Sequence, residues 1–214
     1  MIAPWSTVMR AMTRGAMLVA ATSLLAGCIS LFPKTDPAQL YRFGATTPQL
    51  QEVASGEPGF GVLLVATGFD RAAAGDRILT VTGTQAAYIK DARWVTSSAA
   101  LFDSALQRTF DADKGPARLV DRAEIAHSDY VLKVDVRTFE ARYDLGQAVA
   151  PTIVVEVHAA LDRVQDRVVV SDRSFKAAVT ASENRVGAIA EAFDQAVAEV
   201  LGELVAWVNA RGEG

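Results

Sequence analysis

The chain has 214 residues, a formal net charge of −4 and a single cysteine. Its mild acidity argues against nucleic acid or an anionic lipid surface as the main partner. One cysteine excludes an intrachain disulfide, so packing alone must hold the fold, and the length suits one domain with a proper core.

The N-terminus has the pattern of a secretory signal peptide. Arg10 and Arg14 come first, with no acidic residue, and are followed by the apolar run GAMLVAATSLLAG. A bilayer-spanning helix needs about 20 apolar residues, so this run is too short to be a stable anchor. We predict a cleavable leader over residues 1–27.

The leader ends in Leu25-Ala26-Gly27-Cys28, which resembles the lipobox of bacterial lipoproteins. In that motif a peptidase cuts between Gly27 and Cys28, and the cysteine carries diacylglycerol and an N-acyl chain. The alternative is a chance cysteine behind an ordinary signal peptide. We predict that Cys28 is lipidated and that this lipid anchors the protein to a membrane. We predict no other cofactor and no metal.

Residues 28–39 contain two prolines and no periodicity, which is typical of a short tether. Ile29 and Ser30 follow the cysteine where an aspartate would favour inner-membrane retention. The usual sorting pattern therefore predicts the outer membrane, with the protein body facing the periplasm.

The predicted domain covers residues 40–210 and begins with strands. An edge strand is expected over 40–43, a buried strand over 60–66, an alternating strand over 78–82 and a very short one over 87–89. The glycines of Gly56-Glu57-Pro58-Gly59-Phe60-Gly61 precede a strand, whereas a phosphate loop follows a strand and opens a helix.

A helix is predicted from the N-cap candidates Ser97 and Ser98 to about Phe110. Alternating residues then predict an antiparallel meander over 130–137, 153–162 and 167–176. The last element is an amphipathic helix of about 24 residues, either laid on the sheet or free for a partner or membrane surface. The fold class is α+β, a single domain with a mostly antiparallel sheet.

Catalytic patterns are missing from the sequence. There is no G-x-S-x-G nucleophile elbow, and two separate histidines, His127 and His158, are weak evidence for a metal site. We predict that the protein is not an enzyme.

A set of motifs between residues 70 and 110 has a familiar order. Asp70-Arg71, Gly75-Asp76-Arg77-Ile78 and Tyr88-Ile89-Lys90-Asp91-Ala92-Arg93-Trp94 lead into a helix with Leu101 and Leu106. This resembles the ABC-type transport auxiliary lipoprotein family, whose members pair a lipobox with an Arg-Ile strand, a tyrosine-bearing strand, an Arg-Trp dipeptide and a Leu-rich helix. The resemblance covers roughly residues 29 to 209, although residues 41–43 read Tyr-Arg-Phe where the family often has Tyr-x-Leu.

The resemblance implies an accessory role in lipid transport systems of the Mce (mammalian cell entry) or paraquat-inducible type. The implied partners are an Mce-domain substrate-binding protein, an ABC permease and an ATPase, and a homo-oligomer is left open. A stand-alone structural or assembly lipoprotein of the outer membrane is the alternative.

Trp94 and its neighbour Arg93 are the candidate docking residues. Tryptophan is enriched at interface hot spots, but a tryptophan between a strand and a capped helix usually fills a corner of the core. Both interpretations stay open from the sequence.

Overall fold

Alternating apolar and polar residues build most of this fold. The computed structural model describes residues 37–45, 59–120 and 126–211. Its elements, in chain order, are β1 Gln39–Tyr41, β2 Phe60–Leu64, β3 Gly68–Phe69, β4 Arg77–Thr82, β5 Gln85–Trp94, α1 Ser98–Ala112, β6 Ala117–Leu119, β7 Tyr130–Arg142, β8 Thr152–Arg163, β9 Val169–Thr180 and α2 Val186–Arg211.

The long strand β7 is the centre of one mixed sheet. On one side it pairs with β8, which pairs with β9, both antiparallel, so the predicted meander is confirmed. On its other side β7 pairs in parallel with β2, then β3, then β4 along its length. The predicted α+β fold with a mostly antiparallel sheet is confirmed. The sheet is mixed rather than purely antiparallel, because strands joined by long connections are free to pair in parallel.

The short strands extend this sheet on both sides of β7. β6 adds to β2 in parallel, β5 forms an antiparallel hairpin with β4, and β1 adds to β5 in parallel. β5 has ten residues, which is much longer than the predicted segment 87–89. Asp91 has a φ of 55°, and this left-handed residue interrupts the alternation that would reveal the strand.

Both helices cover the same face of the sheet. The Ser97 side chain caps α1 by accepting from the backbone of Ala100 at 3.2 Å, as predicted. α2 packs across β8 and β9 with Phe193, Val197 and Leu204 fully buried, so this helix lies on the sheet. Within the described residues, no helix is both long and apolar enough to cross a membrane.

Candidate functional site

The motif residues between 70 and 94 meet at one corner, where the segment before β4 packs against the end of β5. Arg93 Nη1 donates to both carboxylate oxygens of Asp76 at 3.1 and 3.0 Å. The guanidinium of Arg77 stacks 3.7 Å above the ring of Tyr88, whose hydroxyl donates to the backbone oxygen of Ala72 at 3.0 Å. These contacts fasten β4, β5 and the loop before them to one another.

The same loop is tied to the beginning of α1. Ser98 is fully buried, and its hydroxyl donates to the backbone oxygens of Ala73 and Gly75. Its own N–H donates to Gly75 O at 2.9 Å. A buried hydroxyl needs such partners, so the motif residues act together as a structural corner between sheet and helix.

Trp94 lies inside this corner. Its ring is 2% exposed and meets Phe43 and Phe193 edge-on, with ring centroids 5.0 and 5.3 Å apart. Phe139 completes the cluster at 6.5 Å from Trp94. A ring with so little accessible surface fits the core interpretation, and we assign it no docking role.

Arg93 points the other way, because successive strand residues face opposite sides of a sheet. Its side chain is 45% exposed and paired with the similarly exposed Asp76. This pair is accessible to a partner, as is the exposed Arg77 beside it.

The other candidates from the sequence do not form a site. Gly27 and Cys28 lie outside the described residues, so lipidation stays a prediction. His127 is exposed, and His158 on the open face of β8 has its Nδ1 3.4 Å from Ser174 Oγ. Among the residues the structure describes, no three His, Cys, Asp or Glu side chains are grouped as a metal site would require.

An open groove of about 480 Å³ lies between the end of β2 and α1. The lining comprises Leu63–Thr67, Asp103, Gln107, Asp111, Leu119 and Val120. Thr67 Oγ1 and Asp103 Oδ1 are buried without a hydrogen-bond partner among the described residues. The sequence did not reveal this groove, since it brings together a strand end and a helix face some 40 residues apart.

A second open groove, of about 680 Å³, separates β1 from α2. Leu40 of β1, which is 65% exposed, stands at one wall, and Ala190 and Glu191 belong to the helix wall. At its end Asp194 Oδ1 accepts from the backbone N–H groups of Gly44 and Ala45 at 2.5 and 3.0 Å. The sequence did not predict this groove either, because β1 and α2 lie at opposite ends of the domain.

Comparison with known proteins places these features in a family. The sequence pattern of the ABC-type transport auxiliary lipoprotein component matches residues 43–205, a range that includes the corner, α1, the whole meander and most of α2. No curated protein matches the sequence significantly.

Solved structures share the fold. A protein of Xanthomonas campestris is 27% identical with a TM-score of 0.71, covering 82% of this chain and 97% of its own. A hypothetical protein of Chlamydia trachomatis is 11% identical with a TM-score of 0.50, covering 72% of this chain and 97% of its own. The second likeness concerns the fold alone.

Proposed function

Because the chain belongs to the ABC-type transport auxiliary lipoprotein family, we propose that it is the lipid-anchored accessory component of an Mce-type ABC transporter. In this role it docks on a periplasmic Mce-domain protein, whose permease and ATPase move phospholipids or other hydrophobic molecules between envelope membranes. The family match over residues 43–205 is the observation that carries the proposal.

Anchoring follows from the lipobox at Cys28. A single acyl chain gives only marginal membrane binding, at about 0.8 kcal/mol per buried methylene, whereas two or more chains hold a protein firmly. β1 begins at Gln39, and an extended residue spans at most about 3.6 Å. The domain is therefore held within roughly 40 Å of its membrane.

We further propose that this membrane is the outer membrane, with the domain in the periplasm. Ile29 and Ser30 after the lipidated cysteine support that sorting. The acidic sequence, with a pI of about 5.2, also suits a domain that contacts proteins rather than the anionic headgroups of its own membrane.

Crosslinked affinity purification tests the proposal. The tagged, lipidated protein is recovered from membranes and its partners are identified by mass spectrometry, with an unrelated lipoprotein carrying the same tag as the control. We expect an Mce-domain protein, a permease and an ATPase that the control does not recover. Recovery of outer-membrane assembly proteins alone would contradict the proposal and favour the structural lipoprotein.

A further inference from the structure

The groove between the end of β2 and α1 has an unused strand edge along one wall. β6 pairs with the first part of β2, and the last backbone bond between them runs from Val120 N to Val62 O at 3.0 Å. Val65 N donates to the opposite side, to Leu132 O of β7 at 3.2 Å. Backbone groups alternate between the two sides of a strand. Those of Leu64 therefore point into the groove, and on that side no described strand is paired with this residue.

This edge continues beyond the end of β2. Leu64 lies opposite Leu132 of β7, and Gly68 lies opposite Asp135 of the same strand. The chain between Leu64 and Gly68 therefore stays beside β7, and its other side is turned away from that strand. A free edge of this kind is a template for the addition of an extended segment.

The opposite wall of the groove is acidic. Asp103, Gln107 and Asp111 recur every four residues on one face of α1, and all three line the groove. No basic residue of the described chain is part of this lining, since Lys114, three positions after Asp111, lies outside it. Neither acid forms an ion pair with another described residue. The wall is therefore an uncompensated negative surface.

Two buried polar atoms indicate that this surface has a ligand. Thr67 Oγ1 and Asp103 Oδ1 are buried, and neither has a hydrogen-bond partner in the described part of the chain. Nearly all buried polar atoms in proteins have a partner. A carboxylate can only accept, whereas a hydroxyl can donate or accept. The missing ligand must therefore bring hydrogen-bond donors, and a positive charge suits the acid best.

The spacing of the two acids matches an extended segment. Asp103 and Asp111 are about 12 Å apart along the helix, at about 1.5 Å per residue. In an extended strand, residues four positions apart lie on the same face and about 13 Å apart, at about 3.3 Å per residue. Two basic residues with this spacing can reach both acids, and the residue midway between them faces Gln107.

We propose that this groove binds an extended peptide segment of a partner protein. The segment adds to the free edge at Leu64 as a further strand and directs two basic side chains, four positions apart, to Asp103 and Asp111. Pairing with the backbone supplies affinity, and the acids select the sequence. The inference requires neither the lipid anchor nor the transporter role, so its failure would leave the proposed function standing.

Fluorescence anisotropy with a labelled peptide tests the proposal on the full-length lipidated protein in neutral detergent micelles. The probe is Thr-Lys-Val-Gln-Val-Lys-Thr, whose lysines are four positions apart and share a face. The matched control, Thr-Lys-Val-Gln-Lys-Val-Thr, has the same composition and charge, but its lysines lie on opposite faces. We expect the control to bind about tenfold more weakly. Equal binding of the two peptides would overturn the proposal.

Charge removal identifies the wall that the peptide contacts. Asp103→Asn keeps the shape of the side chain and should weaken binding of the probe about tenfold, because its carboxylate is partly buried. Asp111→Asn, at a more exposed site, should weaken it about threefold. Glu203→Gln, an exposed acid of α2, is the control and should change nothing. Urea denaturation verifies that each variant is folded. Unchanged affinity in a folded Asp103→Asn chain would contradict the assignment.

Methylation of peptide nitrogens tests the strand pairing separately. N-methyl groups on the two valines remove the donors on one side of the extended probe, and N-methyl groups on the lysines and glutamine remove those on the other. Only one of these sides can face β2. We therefore expect one methylated peptide to lose binding and the other to keep it. Equal affinity of the two would show that the lysine charges bind without strand addition, and would overturn the inference.

Discussion

Asp194, in α2, binds the chain just after β1: its carboxylate accepts from the backbone N–H groups of Gly44 and Ala45. Arg108 of α1 donates to the oxygen of the same Gly44 at 2.6 Å. One turn of backbone thus connects both helices and the edge of the sheet. Gly44 and Asp194 are 150 positions apart in sequence, so this link joins the two ends of the domain.

Removal of the Asp194 carboxylate should therefore destabilise the fold. Asp194→Ala leaves two backbone donors without their acceptor, and we expect the free energy of unfolding to fall by about 1–3 kcal/mol. Urea denaturation measures the change. Glu203→Ala, an exposed acid on the same helix, is the control and should change stability by less than about 0.5 kcal/mol. Equal effects of the two variants would contradict the assignment.

Gly44 should tolerate no side chain. Its φ is +72°, and an added Cβ would lie 2.6 Å from the Cβ of Ala105. Gly44→Ala combines backbone strain with overpacking, so we expect a loss of about 2–4 kcal/mol in the free energy of unfolding. The change is measured by urea denaturation.

Gly83 provides the comparison that separates these two causes. Its φ is +58°, but no heavy atom lies within 4 Å of the added Cβ. Gly83→Ala should therefore show the strain alone, about 1 kcal/mol. If both glycines respond equally, the close approach to Ala105 contributes nothing.

The spacing of apolar residues within one segment was enough to predict some helices and strands but not others. The alternation in β7 and β8 and the helical spacing in α2 are properties of single segments, so those elements could be predicted. Parallel pairing of β7 with β2, β3 and β4 depends on contacts between distant segments, and alternation looks the same in either orientation. β3 and β6 have two and three residues, which is too few to show a period.

The candidate site, too, could be predicted only in part from the sequence. The order of motifs from Asp70 to Trp94 was visible in the sequence, but their convergence into a corner was not. Arg93 and Trp94 are neighbours in sequence, and only the position of the strand decides which of them faces the core. The grooves beside Asp103 and Asp194 could not be predicted, since each is formed by elements that meet only in the folded chain.

Trp94 should matter for stability and not for partner binding. Truncation to alanine removes a buried ring from a cluster of aromatic residues, and we expect a loss of about 3–5 kcal/mol in the free energy of unfolding. Trp94→Phe keeps much of the packing and should fold. It should also recover the same partners as the unsubstituted protein in the affinity purification. A folded Trp94→Phe chain that loses those partners would show that the ring takes part in docking.

Arg93→Ala changes the exposed neighbour of the buried Trp94. An exposed ion pair such as Arg93–Asp76 contributes about 1 kcal/mol or less, so thermal denaturation should detect little change. The variant also tests whether a partner uses the accessible side of the corner. Loss of the partners with stability retained would assign docking to Arg93, and unchanged recovery would limit the pair to structure.

Cys28 should be the site of the lipid. Cys28→Ser removes the thiol that accepts diacylglycerol, because a hydroxyl is a far weaker nucleophile at neutral pH. We expect metabolic labelling with palmitate to mark the unsubstituted protein and to leave the serine variant unlabelled, as a precursor or a soluble form. Fractionation should show the unsubstituted protein in the outer membrane. Label retained by the serine variant would show that another residue is modified, and would leave the Leu25-Ala26-Gly27-Cys28 stretch as part of an ordinary signal peptide.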